Sequence, residues 1–103
     1  MTALTQPPGP KPITPQQARI AQLIGDPRNL SYEQIGAILL PPIAERTVKA
    51  HVLEMCQEMF DEDTKHAYPP RIQVLVWVKQ LQWNFGHMPS IHELIEASIE
   101  RDV

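Results

Sequence analysis

Four groups of residues could do chemistry. His51, His66, His87 and His92 are ligand types for a transition metal, but they lack the close pairing that zinc sites use, and Cys56 is the sole cysteine. No metal, cofactor or catalytic constellation is expected. There is no glycine-rich phosphate loop, and no serine, cysteine or threonine has a base at a spacing that would activate it. The reading is therefore not an enzyme. Asp61-Glu62-Asp63 reads as a solvated acidic loop. What remains is Arg46 and Lys49, spaced i, i+3, followed by Ala50 and Leu53 on the same helical face. Cations on one face of a helix suit an anionic, extended partner.

Those residues need a helix that stays put. Val48, Val52, Met55, Cys56 and Met59 recur at helical spacing and predict a buried stripe on a third helix over about Ala44 to Met59. Arg46, Lys49, Ala50, Leu53 and Gln57 then form the opposite, outward stripe, and Cys56 is a structural thiol of the core. A second helix begins at Ser31. Gln34 completes a capping box, Leu30 and Ile35 form a hydrophobic staple, and Ile35, Ile38 and Leu39 face inward until Pro41-Pro42 ends the helix. A first helix begins at Thr14, with Pro15 in its first turn and Gln17 in the capping-box place, and stops at Gly25.

Beyond the acidic loop, Pro69-Pro70 opens a fourth helix over Arg71 to about Trp83. It is apolar nearly all round, and its β-branched content would also suit a strand; its length and helical neighbours favour helix. Trp77 and Trp83 are expected in the core. Ser90 caps a fifth helix with Glu93 in the capping-box place and Ile91, Leu94, Ile95 and Ile99 on one side. That helix either folds back over the fourth or, the favoured alternative, joins it in a homodimer interface.

The organisation is thus a proline-rich flexible tail over residues 1–12, then one all-α domain over residues 13–103. The chain has 103 residues, enough for one core, and is expected to hold no separate receiver or ligand-sensing domain. No apolar run approaches the ~20 residues that span a bilayer, and no secretory leader is visible. A cytoplasmic protein without a membrane partner is expected.

A short motif sharpens this. Leu30-Ser31-Tyr32-Glu33-Gln34-Ile35-Gly36, followed by Ile43-Ala44-Glu45-Arg46-Thr47-Val48-Lys49-Ala50-His51-Val52, resembles the LuxR/GerE-type helix-turn-helix DNA-binding domain. Ile13-Thr14-Pro15-Gln16-Gln17 is similar to that family's opening segment. Leu30 to Leu39 also resembles region four of bacterial sigma factors. The resemblance implies a four-helix LuxR/GerE-like domain, here with an added C-terminal helix, that regulates transcription by binding double-stranded DNA. It implies that Lys49 and Ala50 reach base edges, that Arg46, Thr47 and His51 lie near the phosphate backbone, and that Leu53 can face the groove.

The sequence departs from that family in four places. Leu40-Pro41-Pro42 lengthens the turn, Ala44 replaces a Ser or Thr cap, and Glu54 and Glu58 stand where DNA binders carry cations. The net charge is −3, whereas nucleic-acid binders are usually basic. A second reading therefore stays open, in which the same fold is an adaptor for RNA polymerase, a sigma factor or another regulator. A positive surface around Arg46 and Lys49 favours DNA; a neutral or apolar one favours protein.

Overall fold

The computed structural model describes residues 12–60 and 68–99, and every regular element among them is a helix. In chain order these are α1 (Pro15–Ile24), α2 (Tyr32–Ile38), α3 (Glu45–Met59), α4 (Pro70–Phe85) and α5 (Ile91–Ile99). The expected tail over residues 1–12, apart from Pro12, and the acidic Asp61-Glu62-Asp63 lie outside the described residues.

Three helices start by the same device. A hydroxyl accepts from a backbone N–H three residues on, and the side chain there accepts from the capping residue's own N–H. Thr14 and Gln17 do this for α1, at 3.1 Å both ways. Ser31 and Gln34 do it for α2, at 3.1 and 2.8 Å. Ser90 and Glu93 do it for α5, at 3.1 and 2.9 Å. α3 begins without such help, because Ala44 has no side-chain acceptor; the omission costs about 1 kcal/mol. α4 starts on Pro70, whose missing N–H is no loss in a first turn. It ends at Gly86, whose φ of 82° is the left-handed cap that glycine adopts without steric cost.

α1 is the hub, packing against each of the other four helices. Ile20, Ile35, Val48, Val52, Met55, Val74, Val78 and Leu94 are fully buried where the helices meet. The expected buried stripe of α3 is present in full, Cys56 included. The thiol donates to the Pro70 carbonyl at 3.4 Å, tying α3 to the start of α4.

Four expectations need correction. The fifth helix does not roof the fourth; it lies mainly on α1. Two polar ties hold it there: the Ile13 N–H donates to Ser98 Oγ at 3.1 Å, and Gln22 Nε2 donates to the Pro89 carbonyl at 2.8 Å. Trp83 is consequently not a core residue but 87% exposed, while Trp77 is buried as expected. Ile38 is exposed at the end of α2, because neighbouring helical residues point about 100° apart and the next residue, the C-cap Leu39, takes the buried side. Ile99 is exposed at the end of α5, where the buried positions are Leu94 and Ser98. Among the described residues no helix is long and apolar enough to cross a membrane.

Candidate nucleic-acid interface

α3 can present a face only if it is held from behind. α2 supplies that hold through one close approach. Gly36 lies so near the next segment that a Cβ there would collide with the Ile43 carbonyl oxygen and would sit 3.3 Å from Val48 Cγ2. The Ile43 N–H donates to the Gly36 carbonyl at 3.1 Å, which closes the turn between the two helices. α2 is itself fixed from α4: the Arg71 guanidinium donates to the Leu30 carbonyl and stands 5.1 Å from the Tyr32 ring centroid. Tyr32 is half-buried there, and burial pushes its phenol pKa above the ordinary value despite the nearby Arg71 charge.

The six residues singled out on α3 fall into two groups. Arg46, Lys49, Ala50 and Leu53 are exposed and share the outward stripe with Gln57. Neither Arg46 nor Lys49 has an ion-pair or hydrogen-bond partner among the described residues. Thr47 and His51 are half-buried on the flank that turns toward α1, together with the exposed Glu54.

That flank contains the residue that sequence reasoning missed. Gln17 reads as a capping residue, and it is one, but its side chain is buried and has a second task. Its Nε2 donates to Glu54 Oε1 at 2.6 Å and lies 3.4 Å from His51 Nδ1. One amide therefore closes the start of α1 and grips the middle of α3. The Gln17-to-Glu54 separation of 37 residues hides this from any local pattern.

The electrostatics are mixed. α3 carries two cations, Arg46 and Lys49, against three carboxylates, Glu45, Glu54 and Glu58. Glu45 lies in the first turn, where the helix dipole favours a negative charge. Glu54 is drawn to Gln17, off the outward stripe. The cations thus occupy the N-terminal half of the outward face.

Apolar surface is exposed nearby. Leu40, in the turn before α3, is 93% exposed. With Ile38, Leu39, Pro15, Gln16 and Arg19 it lines a shallow groove between α1 and the end of α2. Elsewhere α4 exposes Ile72, Val76 and Trp83. His87 and His92 each pair with a glutamate of α5, at 3.1 Å to Glu93 and 3.5 Å to Glu96. Among the described residues no three of His, Cys, Asp and Glu gather as a metal-binding group.

The chain matches no protein-family model, no curated protein and no solved structure.

Proposed function

We propose that this chain is a sequence-specific DNA-binding regulator of transcription, built on a LuxR/GerE-like helix-turn-helix with α3 as its recognition helix. One observation carries the reading: Arg46 and Lys49, without a partner among the described residues, lie on the outward stripe of a helix whose opposite stripe is buried. The major groove is ~12 Å wide and admits one helix, so a rigidly backed helix with cations on its free face suits it. Lys49 and Ala50 then reach base edges, Arg46, Thr47 and His51 meet phosphates, and Leu53 contacts a thymine methyl group.

The test is selection from random duplexes followed by titration against salt. Few cations imply a shallow log–log salt slope, which should fall by about one for each phosphate contact removed. Lys49→Ala should cost about 1–3 kcal/mol at the selected site, relax sequence choice there and leave the melting temperature unchanged. No preference for any selected duplex over a scrambled one defeats the reading.

A second reading draws on a different observation. The groove at Leu40, Ile38 and Arg19 offers apolar surface between α1 and the end of α2, and three carboxylates on α3 oppose its two cations. These features suit an adaptor that binds RNA polymerase, a sigma factor or another regulator. In that case Leu40→Ser abolishes capture of the partner, while Lys49→Ala has no effect.

A further inference from the structure

His51 sits on the flank of α3, its ring half-buried, with Nδ1 turned toward α1. What meets it there decides its tautomer, because a neutral imidazole carries its proton on one nitrogen only. The orientation of the Gln17 amide is forced by its other partners. The Thr14 N–H is a donor, so the oxygen of Gln17 must face it, at 3.1 Å. The Glu54 carboxylate is an acceptor, so the Gln17 nitrogen must face it, at 2.6 Å. That same nitrogen lies 3.4 Å from His51 Nδ1, with its second hydrogen still to place. A proton on Nδ1 would set two N–H groups against each other, whereas a lone pair there accepts the amide hydrogen.

We propose that Gln17 is a positioning residue: it holds neutral His51 with the proton on Nε2 and draws the Glu54 carboxylate aside, so that Nε2–H can donate to a phosphate oxygen of bound duplex DNA. The phosphate half of this rests on the DNA-binding reading; the tautomer half does not. Among the described residues Nε2 has no hydrogen-bond partner. A neutral donor of this kind fixes the backbone register of α3 without carrying sequence information. It also supplies a phosphate contact on a helix with only two cations.

The tautomer is read by nitrogen NMR of the full chain at pH 8, above the ordinary imidazole range. The His51 signals are assigned by their loss in His51→Asn. In the wild-type chain Nδ1 should show the shift of an unprotonated ring nitrogen. Gln17→Glu keeps an acceptor for the Thr14 N–H but replaces the amide donor by a carboxylate oxygen, so it should put a proton on Nδ1. Thermal melts of both chains establish that the fold survives the change. A protonated Nδ1 in the wild type, or no change in a folded Gln17→Glu chain, overturns the positioning role.

The phosphate contact is read by His51→Ala, which should weaken selected and scrambled duplexes alike, by about three- to tenfold. Equal binding by wild type and His51→Ala overturns the contact. If the wild type binds no duplex at all, the contact and the DNA reading fall together, while the tautomer result stands on its own spectrum.

Discussion

Replacing Gly36 by alanine tests whether the α2–α3 turn is as tight as described. The added Cβ meets the carbonyl oxygen of Ile43, a backbone atom that cannot rotate away, and presses on Val48 Cγ2 at 3.3 Å. Overpacking of this kind costs about 1–3 kcal/mol. Relief requires the turn to open, which also lengthens the 3.1 Å bond from the Ile43 N–H to the Gly36 carbonyl; losing it costs about 1 kcal/mol. Against this, alanine is the better helix former by about 1 kcal/mol. The net is a destabilisation of about 2 kcal/mol, or roughly 10 °C in melting temperature for a domain of this size. Gly86→Ala is the control. Its φ of 82° makes alanine unfavourable, but no atom lies within 4 Å of the new Cβ, so its cost is conformational alone, about 1 kcal/mol. Urea denaturation followed by circular dichroism measures both. If Gly36→Ala is as mild as Gly86→Ala, or stabilising, then α2 and α3 do not meet at this point and α3 is not braced through Gly36.

Three further outcomes follow from named contacts. Ser98→Ala leaves the buried Ile13 N–H without its 3.1 Å acceptor, so the urea midpoint should fall by the equivalent of about 1–3 kcal/mol with an unchanged slope; no shift would mean α5 is not tied to α1 there. The backbone N–H of Ser90, then His87, hold the Glu93 carboxyl below its ordinary pKa. Because the folded value is the lower one, this stabilisation is present above the unfolded pKa and lost as pH falls through the folded one. α5 should therefore fray at its start in acid, seen as faster amide exchange near Ser90, and Glu93→Gln should lack that step. If the exposed Ile72, Val76 and Trp83 of α4 form the contact of the proposed homodimer, sedimentation should show a dimer at micromolar concentration and a monomer for Trp83→Arg, and a strictly monomeric wild type refutes it.

The helix starts were legible because they are local. Thr14-Gln17, Ser31-Gln34 and Ser90-Glu93 join residues three positions apart, and all three close as their residue types require. The buried stripe of α3 was equally legible, since Val48, Val52, Met55, Cys56 and Met59 keep one helical phase over the whole element. Positions fixed by distant partners were not. Trp83 has the composition of a core residue, yet its burial depended on where α5 would lie. That was decided by Ser98 and Gln22 reaching Ile13 and Pro89, contacts that no periodicity encodes. Gln17 was read for its neighbour Thr14 and not for His51 or Glu54, because a residue that serves two partners displays only the near one in sequence.

The position of α5 bears on how so sparsely charged a helix could hold DNA. Two cations neutralise few phosphates, and a single recognition helix spans only a few base pairs, so one copy of α3 should bind weakly. A two-fold pair doubles both the phosphate contacts and the bases read without any new cation in the chain. Because α5 packs on α1, the apolar face of α4 stays open for such pairing. The same surface would be idle cost in a monomer, since Ile72, Val76 and Trp83 stay in water. Under the proposed DNA-binding function, the charge deficit on α3 and the apolar surface on α4 would both be met by a two-fold pair, with two half-sites one or more helical turns apart on the duplex. Under this reasoning Trp83→Arg should weaken binding to a two-half-site duplex far more than to a single half-site, although Trp83 lies on α4 and not on α3. Equal weakening on both would break the link between the two surfaces.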